Sequence, residues 1–265
     1  MNVAIVTGAS SGLGREYARQ LAPRPEVDQV WVLARREGRL EEVCDELVGA
    51  DGRVFAVDLT DDEQTASLYE ALANEAPTVS WLVNNAGFGK IGPFAEGDVD
   101  DYLTMIDLNV RALTEMTHRV LPYCERGSKI VQVASSAGFG PLGNLAVYAA
   151  TKAFVVNLSN ALSVELKERG ITVTAACPGP VDTEFQSVAY NGRYPEPPAA
   201  AMADAADVVR KSIADARKGR LNSVYGAAMK TWSALSGLVP RRLSAWASAR
   251  TYDQPLEQAD SLEDQ

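Results

Sequence analysis

Short runs of apolar, mostly β-branched residues recur along this chain, and between them lie longer stretches with helical periodicity. The runs fall at 3–7, 30–34, 54–58, 79–84, 130–134 and 171–176, with a weaker one at 221–225. The helical stretches fall at about 13–22, 38–48, 62–75, 99–125, 148–169 and 204–218. Apolar residues in the runs are consecutive rather than alternating, as strands buried on both faces require. Strand and helix in this alternation predict an α/β fold built on a doubly wound parallel sheet. Gly170 and Gly219 each follow a helical stretch and are expected as C-terminal caps. No low-complexity linker divides the first 185 residues and no internal repeat is present, so 1–265 is expected to be a single domain. The glycine- and proline-rich stretch 186–203 is expected to be a mobile loop. The stretch 228–250 is expected to be an amphipathic helix broken at Pro240, and the acidic last ten residues are expected to be frayed.

Composition narrows the function classes. Lys and Arg number 25 against 35 Asp and Glu, a net charge of −10 that disfavours nucleic acid as a partner. One histidine, His118, leaves no multi-histidine zinc site and reads as a surface or subunit-contact residue. Cys44, Cys124 and Cys177 are odd in number and far apart, which argues against a disulfide framework and against a C-x-x-C site. The N-terminus runs straight into a strand pattern without a signal peptide, and a reducing cytoplasm is the expected compartment.

Two constellations carry chemistry. The first run ends in Thr7-Gly8-Ala9-Ser10-Ser11-Gly12-Leu13-Gly14 and enters a helix. Glycines at 8, 12 and 14 permit a sharp turn, close approach of a diphosphate to the backbone, and tight helix–strand packing. The free N–H groups and positive dipole end of the helix then hold phosphate, and Ser10 and Ser11 add hydroxyl donors. The second constellation is Tyr148-Ala149-Ala150-Thr151-Lys152, which sets a phenol and an ammonium one helical turn apart. A free tyrosine titrates near ~10, and a fixed ammonium beside it favours phenolate. Ser135 lies thirteen residues upstream, at the end of the 130–134 run, where loops over the C-terminal sheet edge meet the ligand crevice. Each pattern alone also occurs in ordinary turns and helices.

Together with Asn84-Asn85-Ala86-Gly87, Asn109 and Pro178-Gly179-Pro180-Val181-Asp182-Thr183, all in order over about 2–185, the chain resembles the short-chain dehydrogenases/reductases. The resemblance implies a Rossmann-type sheet of about seven strands in the order 3-2-1-4-5-6-7. It also implies hydride transfer between a nicotinamide cofactor and a carbonyl or alcohol. Tyr148 would then exchange the proton with the substrate oxygen. Lys152 would lower the tyrosine pKa and bond the nicotinamide ribose, Ser135 would orient the substrate oxygen, and Asn109 would hold a water linking Lys152 to solvent. Cofactor contacts are implied at the glycine turn, at Asp58 and Leu59 near adenine, and at Asn85, Ala86 and Gly87. Pro178, Gly179, Val181 and Thr183 are implied around the carboxamide. Similar proteins assemble as homodimers or homotetramers through helices matching 99–125 and 148–169.

The second run ends Ala34-Arg35-Arg36. An NAD site carries an acid about 20 residues after the glycine turn, where this chain has Ala34. Arginine instead offers a planar charged fork for a 2′-phosphate, so NADP(H) is expected over NAD(H), with Arg35 the main contact and Arg36 beside adenine. Phe88, Phe94, Phe185, Tyr190 and Tyr194 suggest a hydrophobic small-molecule substrate. The 228–250 segment would close over that substrate or contact a subunit, with peripheral membrane contact the minor alternative. The competing class is a cofactor-binding sensor or scaffold without turnover, and an epimerase or dehydratase is weaker still.

Overall fold

The computed structural model describes residues 1–194 and 196–251. Its centre is one seven-stranded sheet with all neighbours parallel, in the order β3-β2-β1-β4-β5-β6-β7. The strands are β1 (Asn2–Thr7), β2 (Gln29–Ala34), β3 (Asp51–Ala56), β4 (Thr78–Asn84), β5 (Lys129–Val133), β6 (Thr172–Ala176) and β7 (Asn222–Ser223). Consecutive residues of β1 show why its run is apolar throughout. Ala4 and Val6 enter one core and Val3 and Ile5 the other. Helices α1 (Gly12–Leu21), α2 (Glu37–Asp45) and α8 (Ala205–Arg217) cover the first face. Helices α3 (Asp62–Glu75), α5 (Leu113–Val120) and the C-terminal turn of α6 (Ala146–Glu165) cover the second. The indoles of Trp31 and Trp81 are fully buried, and His118 is exposed on α5.

Several boundaries differ from those expected, each for a physical reason. β3 covers 51–56 rather than 54–58. It is an edge strand, so its first residues need not be apolar, and the Arg53 guanidinium lies 4.9 Å from both the Trp31 and Phe55 rings. Asp58 therefore sits past the strand, in a turn where it accepts from Thr60 N at 2.9 Å and Thr60 Oγ1 at 2.7 Å. The stretch 99–125 is not one α-helix. α4 (Val99–Ile106) passes through a π-helical segment, Asp107–Ala112, into α5, and a 3₁₀ turn at Leu121–Tyr123 follows. The segment 186–203, expected as a loop, shares α7 (Phe185–Tyr190) and a 3₁₀ turn at Ala199–Ala201. Tyr190 and Tyr194 are buried there against Ile91 and Phe185, and this apolar cluster is what orders the segment. The 228–250 stretch is two helices, α9 (Ala227–Leu235) and α10 (Arg241–Thr251), separated at Pro240 as expected. The acidic last ten residues lie outside the described residues. Among those described, no helix is long and apolar enough to cross a membrane.

Trp81 lies on β4 beside β1, packed in the core under α1 and α8. Replacing it by Ala is expected to cost about 4 kcal/mol through lost burial and a residual cavity. Urea unfolding would read this as a lower midpoint at unchanged slope.

Candidate active site

The strand order reverses at β1, so the crevice outside the C-terminal ends of β1 and β4 is where an open α/β sheet binds its ligand. A cleft of about 970 Å³ opens there, and its lining runs from the glycine turn past Ser135 to Trp232. Gly8 and Gly12 have φ of +64° and +52°, conformations that favour glycine. A Cβ on Gly14 would lie 2.1 Å from Gly8 O, so only glycine lets α1 approach the turn this closely. Ser11 sits at the N-cap of α1 without capping it through its side chain, which leaves the first N–H groups of the helix to another acceptor. Thr7 Oγ1 accepts from Asn85 N at 2.9 Å and Ala86 N at 3.0 Å. Asn85 Nδ2 donates to Thr7 O at 3.0 Å and Gly8 O at 3.2 Å. Asn85 thus fastens the glycine turn to the end of β4 as well as lining the cleft.

At the cleft edge the two arginines differ. Arg35 is 78% exposed, with Asp58 3.9 Å away. Arg36 is engaged: it donates to Ser10 Oγ at 3.1 Å and to Glu184 Oε2 at 2.8 Å. That bond and the Arg36 charge, with a lesser contribution from the Ser11 hydroxyl, hold the Glu184 carboxyl below its ordinary range. The end of β2 carries no acid in sequence, yet the fold brings Asp58 to one arginine and Glu184 to the other. Neither pairing is visible in the sequence, since 148 positions separate Arg36 from Glu184.

Over the sheet centre, Ser135 ends the β5 run, is buried, and accepts from Ala137 N at 3.1 Å at the head of a 3₁₀ turn. α6 presents Tyr148 and Lys152 to the same cleft. Burial pushes the Tyr148 phenol up to about 12, and the neighbouring Ser135 hydroxyl opposes this. Lys152 is buried, and desolvation brings its ammonium down to about 8. Its Nζ donates to Val133 O at 2.8 Å and lies 5.8 Å from the centre of the Tyr148 ring. The group that lowers the tyrosine in this arrangement is therefore Ser135, where the sequence suggested Lys152. The physical reason is that the ammonium is aimed at a backbone carbonyl and the phenol is desolvated.

Asn109 lies in the π-helical segment and is fully buried. It accepts from Phe88 N at 3.1 Å and donates to Phe88 O at 2.9 Å and Thr151 Oγ1 at 3.1 Å. Thr151 Oγ1 donates to Tyr148 O at 2.8 Å, so the asparagine braces the strand-four turn against α6. The extra residue of a π-bulge turns this side chain inward, a distortion frequent at functional sites. Gly87 leaves the required room, because a Cβ there would lie 2.6 Å from Asn109 Oδ1 and 3.4 Å from Lys152 Nζ.

Ser10, Leu13, Leu59, Ala86, Pro178, Gly179, Val181 and Thr183 also line the cleft, and Thr183 packs where a Cβ on Gly12 would fall 3.0 Å from it. Of the five aromatic residues suggested for substrate, Phe88, Phe185 and Tyr190 line it. Phe94 instead stacks on Tyr102 outside, and Tyr194 belongs to the buried cluster behind α7. Sequence reasoning missed Thr151, Glu184 and Gln186, of which only Thr151 had a local signal, its place inside the Tyr148–Lys152 turn; Met229 and Trp232, in the 228–250 segment expected to close over the substrate or contact a subunit, line the cleft.

The buried lysine has a consequence for stability. Between about 8 and the ~10.4 of an unfolded lysine, the folded chain holds fewer protons, so stability rises with pH across that window. Below it, the charge stays buried at a cost of about 3 kcal/mol, set against about 1 kcal/mol for its bond to Val133. Lys152→Met is expected to be about 2 kcal/mol more stable at pH 7 and to lack the rise. Tm measured against pH reads both. Equal stability at pH 7 with the same slope as the unsubstituted protein would refute this account.

The family model for short chain dehydrogenase matches residues 2–193. The sulfoacetaldehyde reductase 2 of Chromohalobacter salexigens is 38% identical over 200 residues, 72% of this chain and 77% of that protein. A short-chain dehydrogenase from Sphingobium yanoikuyae in complex with NADPH superposes with a TM-score of 0.76 at 28% identity, covering 99% of both chains. A 3-ketoacyl-(acyl-carrier-protein) reductase from Brucella melitensis complexed with NADH gives 0.70 at 26% identity, covering 84% of this chain and 94% of that one. The chain belongs to the short-chain dehydrogenase/reductase family and is an oxidoreductase of that family.

Proposed function

We propose that this protein is an NADP(H)-dependent oxidoreductase that interconverts a hydrophobic carbonyl compound and its alcohol. The observation that carries this reading is one continuous cleft that joins the glycine turn and Arg35 to the Ser135, Tyr148 and Lys152 side chains. The residues fit a dinucleotide. Gly8 and Gly14 let the turn pack directly on Asn85, Ala86 and the start of α1, and the first N–H groups of that helix have no side-chain cap. When bound, the reduced nicotinamide supplies the hydride. Ser135 Oγ donates to the substrate oxygen, and Tyr148 Oη gives its proton to that oxygen as negative charge develops. The high phenol pKa keeps that proton in place until the oxygen becomes basic enough to take it. Lys152, whose Nζ lies 5.8 Å from the centre of the phenol ring, would bond the nicotinamide ribose. Asn109 holds the Gly87–Phe88 turn against α6 and so keeps cofactor and acid in register, the same position from which it would order a water beside Lys152.

Preference for NADP(H) rests on Arg35, whose exposed guanidinium has only a 3.9 Å ion pair to leave. Surface pairs of that kind are worth little, so a 2′-phosphate would displace Asp58 at small cost. The apolar side chains at the far end of the cleft support a hydrophobic substrate. Exposed Val99, Leu103 and Ile106 on α4 and Phe154 on α6 support a homodimer or homotetramer formed through those helices.

NADPH oxidation against a panel of ketones and aldehydes tests this reading. Tyr148→Phe is expected to lower kcat by at least ~100-fold. Arg35→Ala is expected to raise the Kd for NADPH about tenfold, one charge-assisted bond, and to leave NADH binding unchanged. Tight NADPH binding without turnover of any compound would favour the sensor reading, and equal loss of both cofactors would refute the role of Arg35.

A further inference from the structure

We propose that α9 and α10 together form the wall that limits substrate size, with Trp232 as the residue that meets the substrate and Gly143 setting how closely the wall stands. The inference rests on the carbonyl–alcohol reading above. It concerns a part of the chain that the family match, ending at 193, does not include.

Met229 and Trp232 are three apart on α9, hence on one face, and both line the cleft. The Trp232 indole N–H donates to Ser136 O at 3.1 Å, one residue after Ser135. Met229 packs against Gly179, where a Cβ would fall 2.8 Å from its Cγ, and against the same buried cluster as Phe139. α10 adds three more bonds to the same loop. Ser244 Oγ donates to Pro141 O at 3.1 Å, Ser248 Oγ donates to Gly143 O at 3.1 Å, and Asn144 Nδ2 donates to Ala249 O at 3.3 Å. Leu142, in the middle of that loop, also lines the cleft. All four bonds therefore bind the C-terminal helices to the stretch that leads from Ser135 to Tyr148. A helix pair that only covered the surface would have no need to aim an indole into the cleft.

The close approach depends on a glycine. A Cβ on Gly143 would lie 2.6 Å from Ala245 O and 2.7 Å from the Ala249 side chain. Gly143 is outside the cleft lining, so Gly143→Ala is a wedge that moves the wall without touching the substrate. A tryptophan with few rotatable bonds and its N–H satisfied is a rigid wall, and it rejects a bulky substituent by overlap.

The test measures kcat and KM, with saturating NADPH, for a series of ketones of increasing bulk on one side of the carbonyl. Trp232→Ala is expected to raise kcat/KM for the bulkiest member relative to the smallest about tenfold, mainly through KM, with KM for NADPH unchanged. Gly143→Ala is expected to shift the same ratio. Trp232→Phe, which keeps most of the bulk and loses the bond to Ser136, is expected to fall between the unsubstituted enzyme and Trp232→Ala. These last two variants carry the test if the alanine variant fails to fold. A ratio unmoved in every folded variant, or activity on all members falling together with NADPH affinity, overturns the inference while Tyr148-dependent turnover upholds the reading it rests on. Absence of turnover by the unsubstituted protein on the whole series overturns both.

Discussion

The Thr7 hydroxyl joins the two halves of the sheet at the point where the ligand crevice opens. It donates to Val83 O at 3.4 Å and accepts from the first two N–H groups beyond β4. A parallel sheet leaves its strand ends with unpaired backbone groups, and unpaired buried groups are costly. Here those groups are satisfied by one side chain that also fixes the spacing between the glycine turn and the Asn85–Gly87 turn. Asn85 repeats the device from the other side through its amide. The glycine turn, the start of α1 and the floor under Lys152 are all placed relative to that junction.

A second constraint is the desolvation of the Tyr148–Lys152 pair. Lys152 is buried with a backbone carbonyl as its hydrogen-bond partner, and Cys177, the thiol nearby, is pushed up to about 12 by burial and stays neutral. The chain tolerates this cost because many other contacts hold α6 in place: Gly138 lets the helix approach the Ser135 loop, and Asn109 ties Thr151 to the Phe88 turn. Burial of the Lys152 ammonium strengthens the electrostatic interactions it makes there. Placement that lowers the stability of the free protein is thus the placement that makes a phenol and an ammonium useful in chemistry.

The sheet was legible because its strands are buried on both faces, which writes an apolar run into each. Where that condition fails, the signal fails. β3 at the edge begins on Asp51-Gly52-Arg53, and β7 is reduced to two residues. The π-helical segment was invisible because 99–125 has helical periodicity throughout; only the tertiary contacts of Asn109 show where the extra residue sits. The order in 186–194 was equally hidden, since it comes from Tyr190 and Tyr194 packing on Ile91, about a hundred positions away.

By itself, the sequence determined the parallel α/β class and the candidate glycine, serine, tyrosine and lysine positions, and the strand order followed from the family those positions resemble. The positions depend on short-range patterns: periodicity, a tight turn, and two side chains one helical turn apart. The tertiary structure alone decided which partners those side chains have. It aimed Lys152 at Val133, set Ser135 against Tyr148, brought Asp58 and Glu184 to the arginines, and laid Trp232 over the cleft. Each of these contacts joins residues from separate elements, and their meeting depends on how helices stack on the sheet.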